Sequence, residues 1–473
     1  MTSWTPDLRP DSPRYIAIAD ALADDMGAGR LAPGVKLPTH RDLAWRLGVT
    51  VGTVTRAYAE AERRGLVIGE VGRGTFVRAQ TPDRPPSADR QDGTSRDDGQ
   101  ILDLSMNLPA LPSEPEAVPG AVAEVSGDPE ARRCFDYTTS LGLPEHRRAG
   151  ADWLARHGLE SPPERIVPTY GAQHAMFLAC AALAEAGDTV LVEEATFYGM
   201  KSVAKTLGLR LTGVPTDSQG LDPAGLDAAA RSTGAKLLYC VPNFQNPTCS
   251  VMTAQRRDEV AEVCRRHGIA VIEDDIYAFL LNDTEGAALR PLSCRLPEQG
   301  FYIGSLSKSV SPALRVGWLA APAAWIDRIA VAQRATVIMP NPLLQEAARR
   351  LIASGAADRL AAGQRREAIA RQRLAGEILG RPNSGARIVT HPNSFHIWLQ
   401  LPPIWRTEAF VSAARRRGVA VTAGEVFFVG RVPGPDAVRI CLSAAPNRKA
   451  LERGLRTLAG LLSEDPTLEM PLV

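Results

Sequence analysis

The chain reads as an α/β protein in two unequal parts. A small domain of three helices and a hairpin comes first, then a large domain on a mostly parallel sheet. Three observations predict this. Residues 80–100, QTPDRPPSADRQDGTSRDDGQ, hold no large apolar side chain, so they cannot build a packed element and form a linker. Before them, apolar residues recur at helical spacing and end in two short apolar runs around glycine. After about residue 166, β-rich apolar runs alternate with helical stretches, the pattern of a parallel sheet covered by helices. The divisions are therefore 11–79, 80–100 and 101–473.

In PRYIAIADALADDMGAG, residues 13–29, Tyr15, Ile18, Leu22 and Met26 mark the first helix. THRDLAWRLG, 39–48, opens with Thr39 and carries Asp42 three residues on, a capping pattern, with Leu43 and Leu47 on one face. VTVGTVTRAYAEAERRG, 49–65, is a third helix, with Thr50 as its cap, Val54, Ala57, Tyr58 and Ala61 inward and Gly65 as its stop. LVIGEVGRGTFVR, 66–78, is a hairpin around Gly72, Arg73 and Gly74. Helix, tight turn, helix and hairpin make a winged helix-turn-helix, whose second paired helix can enter a DNA major groove. Residues 36–78 carry eight Lys and Arg against four Asp and Glu, whereas the whole chain sums to +1. Such local charge suits phosphate contacts. The bland alternative is a helical interaction domain with a solvated basic face.

Composition excludes several classes. Seven cysteines with no C-x-x-C pair argue for a reducing cytoplasm and against a disulfide framework or structural zinc. The seven histidines show no metal-ligand spacing, so no metal is expected. The start lacks a secretory profile, and no apolar run is long enough to cross a bilayer. No Gly-rich dinucleotide fingerprint occurs. His396 and Trp398, in SFHIWLQLP, read as strand positions rather than ligands.

In the large domain, ligands are expected at the carboxyl ends of the parallel strands. Four stretches lie there. TYGAQHAMFLACAALA, 169–184, is a glycine turn into a helix, either a phosphate site or an ordinary cap. In VPNFQNPT, 241–248, Asn246 either binds a ligand or starts a turn. IEDDIYAF, 272–279, places Asp274 and Tyr277 where a strand ends, the alternative being exposed acids in a capped loop. GSLSKSVSPALRVGW, 304–318, surrounds Lys308 with serines and adds Arg315. One ligand explains all four. Pyridoxal 5′-phosphate (PLP) needs a lysine for a Schiff base, an acid for its ring nitrogen, a hydroxyl for its phenolic oxygen, an aromatic for its face, and amides, hydroxyls and an arginine for its phosphate. Lys308, Asp274, Tyr277, Asn246, Phe197, Gly171, Ala172, Gln173, Ser305, Ser307 and Arg315 supply those groups.

Two family resemblances sharpen this reading. Residues 13–78 resemble the GntR-type winged helix, through Gly29-x-Leu31-x-Pro33-Gly34-x-x-Leu37-Pro38, Arg41-x-Leu43-Ala44, L-G-V-T, T-V-x-R-A-Y and G-x-G-T-F-V. That resemblance implies double-stranded DNA as partner. Base readout would fall to Thr50, Thr53, Thr55 and Arg56, with Arg41, Arg73, Gly74 and Thr75 at phosphate or the minor groove. Residues 101–460 resemble fold-type I aminotransferases, through Tyr137 to Arg147, Y-G-A-Q, N-P-T, D-x-x-Y, S-x-S-K and K-x-x-x-P-x-x-R-x-G. This implies a smaller C-terminal α+β subdomain, Lys308 as Schiff-base lysine, Asp274 on the pyridine nitrogen, Tyr277 and Asn246 on the phenolic oxygen, and Phe197 stacked on the ring. It also implies Arg439 on a substrate carboxylate, Asn107 at the substrate entrance, and Tyr137 lent to the phosphate across a homodimer. Cys249, Tyr170, Ala195 and Asn107 depart from the pattern, each replacing a residue more usual at its place. The fusion resembles the architecture of the MocR subfamily of transcriptional regulators. It implies a head-to-tail dimer in the cytoplasm whose large domain senses an amino compound through aldimine formation at Lys308. A working aminotransferase with a secondary DNA-binding domain is the alternative.

Overall fold

The computed structural model describes residues 4–6, 14–27, 30–32, 34–63, 66–70, 74–77, 101–380, 385–430 and 434–464. The linker stretch 80–100 and Arg73 lie outside these. The chain divides into two compact units, Met1–Ala88 and Asp89–Val473.

In the first unit, helices α1 (Arg14–Gly27), α2 (His40–Leu47) and α3 (Val51–Arg63) precede a hairpin of β1 (Val67–Glu70) and β2 (Gly74–Val77). Thr39 caps α2 by accepting the Asp42 N–H, and Gly48, at φ +62°, ends it in the left-handed conformation that glycine adopts at least cost. That sharp stop lets α3 begin three residues later. Ile18, Leu22, Leu43, Val54, Tyr58, Val67 and Val77 close one core. Its polar member, Tyr58, donates its hydroxyl to the Pro38 carbonyl at 2.9 Å, which satisfies the buried group. The hairpin is antiparallel, with Val67 opposite Val77. Residues 35–37 run beside it, Leu37 N–H donating to Thr75 O and Val77 N–H to Val35 O, both at 2.9 Å.

The second unit is built on seven strands: β3 (Ile166–Thr169), β4 (Thr189–Glu193), β5 (Arg210–Val214), β6 (Leu237–Cys240), β7 (Ala270–Asp274), β8 (Gly300–Ser305) and β9 (Gly317–Ala320). Their order across the sheet is β3-β9-β8-β7-β6-β4-β5. Strands β5, β4, β6, β7 and β8 are parallel neighbours, and β9 runs antiparallel between β8 and β3. Alternate residues of one strand enter different cores. Val190, Tyr239 and Ile272 pack on one side, and Leu191, Leu238 and Val271 on the other. Burial on both faces explains the near-continuous apolar runs. The expected strand over 270–280 stops at Asp274, and the chain continues into a short 3-10 turn at Ala278–Leu280. The three carboxylates after Ile272 are buried rather than exposed.

Beyond the long helix Ala356–Leu379, strands β10 (Arg387–Val389), β11 (His396–Gln400), β12 (Thr422–Ala423) and β13 (Ala437–Cys441) form a second, antiparallel sheet in the order β10-β11-β13-β12. With the helices Thr407–Arg416 and Arg448–Leu462 it makes the C-terminal α+β subdomain. Among the described residues, no helix is long and apolar enough to cross a membrane.

Candidate functional site

The parallel strands end on one cavity of about 140 Å³, whose walls include Asn107, Phe197, Asn246, Asp274, Tyr277, Lys308 and Arg439. Each arrives from a different element. Asp274 is the last residue of β7, Lys308 follows β8, Asn246 follows β6, and Arg439 faces in from β13. Asn107 comes from the segment just after residue 101. A larger, more open groove lies elsewhere, beside residues 114–128. Its charges are closed on one another, as in the Arg359–Glu114 pair at 3.0 Å.

The cavity floor is electrostatically unusual. Asp274 is buried, and Tyr239 donates its hydroxyl to Asp274 Oδ2 at 2.9 Å. Its Oδ1 has no hydrogen-bond partner among the described residues. Burial pushes its carboxyl up to about 6, against the pull of the Tyr239 hydroxyl. Lys308 donates to the Asn107 carbonyl, and burial lowers its ammonium to about 8. Asn107 also gives its amide to Tyr277 Oη at 2.8 Å and lies 3.3 Å from His396 Nδ1. His396, flanked by Arg439 and buried, is held neutral, its value pushed down to about 3 chiefly by burial.

Arg439 is almost wholly buried. It donates to Asn246 Oδ1 at 2.8 Å and to the Ser105 carbonyl at 2.6 Å, and stands over the Phe427 ring at 4.9 Å. A guanidinium placed this way presents a planar fork suited to a carboxylate. Phe197 and Tyr198 stand side by side, ring centres 4.9 Å apart.

At the neighbouring turn, Gly171 adopts φ +80° and caps helix α4 (Ala172–Leu183). A Cβ on Gly171 would lie 3.0 Å from Arg315 Nη2, so a larger residue would press on the arginine as well as strain a backbone at φ +80°. Arg315 donates to Tyr170 O at 3.1 Å and to Ser307 Oγ at 3.4 Å, while Ser305 Oγ lies 3.1 Å from Ser307 Oγ. Ala172 opens α4, and Gln173 ties it to the Gly199 carbonyl at 3.1 Å. Free helix N–H groups, two hydroxyls and a guanidinium therefore meet in one place, the donor set of a phosphate cradle. Tyr137 is not brought to this cavity. It stands 78% exposed on the surface of its own chain.

Cys249, where the family pattern has glycine, has φ +62°. The cysteine thus adopts the left-handed conformation that glycine takes at least cost, with its side chain buried. Its thiol donates to the His396 carbonyl at 3.2 Å.

In the first unit, Arg41, Thr50, Thr55 and Arg56 are exposed and Thr53 is half-buried. Thr50 Oγ1 accepts the Thr53 N–H at 3.1 Å, and the two hydroxyls lie 2.9 Å apart. Gly74 is exposed at φ +119°, and the half-buried Thr75 gives its carbonyl to Leu37.

Sequence reasoning missed Tyr239, Ser105 and the part His396 plays. Tyr239 sits one residue before a strand end, like Asp274 at the end of its own strand, and that register was a usable signal. The Ser105 and Asn107 carbonyls gave none, because a main-chain acceptor looks the same at every residue.

Fold and site define a winged helix joined to an aminotransferase-type domain. The family model for aminotransferase class I and II matches residues 99–458, and that for bacterial regulatory proteins of the gntR family matches residues 14–77. The chain is 30% identical over 463 residues to the uncharacterized HTH-type transcriptional regulator YdeF of Bacillus subtilis, covering 98% of this chain and 97% of that one. It is 29% identical to the HTH-type transcriptional regulator TauR of Rhodobacter capsulatus, over 85% of this chain and 87% of TauR. Among solved structures, the α-aminoadipate aminotransferase LysN of Thermus thermophilus, complexed with N-(5′-phosphopyridoxyl)-L-leucine, aligns with TM-score 0.70 and 25% identity, covering 78% of this chain and 93% of LysN. The chain belongs to the MocR subfamily of GntR-type transcriptional regulators, which carry a class I and II aminotransferase domain. Its cofactor is pyridoxal 5′-phosphate. The residues present fit that group: the cavity offers a partly buried lysine and a buried carboxylate with one oxygen unpartnered, and the neighbouring glycine turn offers hydroxyls and a guanidinium.

Proposed function

We propose that the protein is a DNA-binding regulator whose large domain senses a small amino compound at Lys308 and relays that state to the winged helix. When bound, PLP supplies a carbonyl that condenses reversibly with amines and a ring that withdraws electrons. The protein's residues do the rest. Lys308, its ammonium weakened by burial, offers a neutral amine at mildly basic pH. Asp274, oriented by Tyr239, would keep a proton on the ring nitrogen. Tyr277 and Asn246 would hold the phenolic oxygen, Phe197 would cover the ring, and Ser305, Ser307, Arg315 and the start of α4 would take the phosphate. Arg439 would bind an effector carboxylate.

The observation that carries the sensing role is what Lys308 and Arg439 touch. Both cations hold main-chain carbonyls, Asn107 O and Ser105 O, of the segment that follows the linker in sequence. A ligand that recruits either cation competes with that segment. Binding at the cavity and the conformation of that segment are then thermodynamically linked, and the linkage is reciprocal. The exposed Tyr137 supports a head-to-tail homodimer in which each copy completes the other's phosphate site.

The test is the absorbance of the cofactor-loaded protein, titrated with amines and amino acids, with DNA affinity measured at each point. A spectral change that persists and shifts DNA affinity is the expected result. The retention of Lys308, Asp274 and Arg439 favours one second reading, a working aminotransferase. Stoichiometric or catalytic release of a keto acid, with DNA affinity unmoved, would establish it instead.

A further inference from the structure

We infer that the first turns of α3 recognise the 5-methyl groups of thymine, so that the half-site under them includes T·A pairs read through those methyls. This rests on the DNA-binding reading above and names what that helix reads.

The argument starts from what α3 offers to a groove. Its inner face is Val54, Ala57, Tyr58 and Ala61, all buried. At 100° per residue, the outward face over the first turns is Gly52, Thr55, Arg56 and Ala59, with Val51 on its flank at the first helical position. All five are exposed, Val51 by 45%. The helix sequence VGTVTRAYAEAER contains no Asn, Gln or Lys, so the side chains that read adenine bidentately are missing. The threonine hydroxyls are already engaged. Thr50 and Thr53 bond each other in the N-terminal cap. Thr55 Oγ1 donates to Val51 O at 3.0 Å and lies 3.2 Å from His40 Nδ1. What remains for the bases is apolar: the Val51 methyls, the Thr55 methyl and Ala59, with Arg56 the one long donor. At Gly52 a Cβ would meet only Thr50 Oγ1, at 3.8 Å, so the helix surface there is open to close approach.

The occupant is duplex DNA by charge. Arg41 and Arg46 on α2 and Arg56 on α3 are exposed, and such a cluster of cations suits the phosphates beside a groove. In the major groove, the apolar group available to such a strip is the thymine methyl.

The experiment uses the full-length, PLP-loaded protein. Duplexes are selected from a randomised pool, and the tightest is remade with deoxyuridine replacing each thymine in turn, which removes the methyl and leaves base pairing intact. The expected result is a loss of about three- to five-fold in affinity at one or two thymines per half-site, the scale of one buried methyl. Val51→Ala is expected to abolish that loss at one of them, and Val51→Thr, which keeps the shape, to weaken it less. Val51 is exposed, so both variants retain the fold. Tight binding that is indifferent to every deoxyuridine, or a deoxyuridine penalty unchanged in Val51→Ala, would overturn the inference and leave DNA binding intact. Recovery of no duplex at all would overturn the DNA-binding reading itself.

Discussion

In the large unit the polar groups around the cavity are buried and mostly committed to one another. Asp274 takes Tyr239, Arg439 takes Asn246 and Ser105, and Asn107 takes Tyr277. On α3 Arg56 is exposed, and the hydroxyls are spent within the helix and its neighbour. The first arrangement is preorganised, so changing one group leaves another unpaired in a low-dielectric site. The second is a solvated surface, where one change removes one contact. Substitutions should therefore be costly and coupled in the cavity, and small and additive on the winged helix.

Four outcomes would break or sharpen that contrast. The largest effect is expected from Lys308→Ala, which should abolish covalent cofactor attachment. Borohydride reduction followed by peptide mapping would find no pyridoxyl group in the variant and one at Lys308 in the parent. Next, Asp274→Asn should weaken cofactor affinity by about 10- to 100-fold, the scale of a hydrogen bond to a charged group, read from a fluorescence titration. The packing should survive, because Asn is isosteric and Tyr239 still has an acceptor. Third, cofactor uptake by the unloaded protein should accelerate as pH rises and level off above about 8, where the burial-weakened Lys308 ammonium has lost its proton. The neutral amine is the nucleophile, so the rate rises with pH. A plateau delayed to the ordinary lysine range would mean that the cavity does not desolvate Lys308. The smallest effect belongs to Thr39→Ala, which removes the α2 cap and should cost about 1 kcal/mol. Thermal unfolding should show it in the N-terminal unit alone, with the cofactor titration unchanged.

Much of this was legible in the sequence, for a physical reason. Lys308, Asp274 and Asn246 each follow or end a strand, and strands announce themselves by apolar runs. Parallel strands carry whatever terminates them to one edge, so residues far apart in the chain meet at one cavity. Gly171 and Arg315 were readable because a glycine turn and an arginine have few other reasons to accompany serines. The helix caps at Thr39 and Thr50 were readable because capping is local. Three things were not legible. The end of β7 at Asp274 was overrun by an apolar stretch that packs as a 3-10 turn. The commitment of the α3 hydroxyls depends on rotamers. The holds on Ser105 and Asn107 involve backbone atoms, which carry no sequence signature.

Those holds have a mechanical consequence. Segment 105–107 is held by Lys308 at Asn107 O and by Arg439 and Thr422 at Ser105 O, while Leu102–Asp103, just ahead of it, is paired with Val419–Ala420. That pairing is the fixed end of a clasp, and the two cations are its catch. A ligand that draws Lys308 or Arg439 away would open the catch at Asn107 O or Ser105 O and leave the fixed end in place.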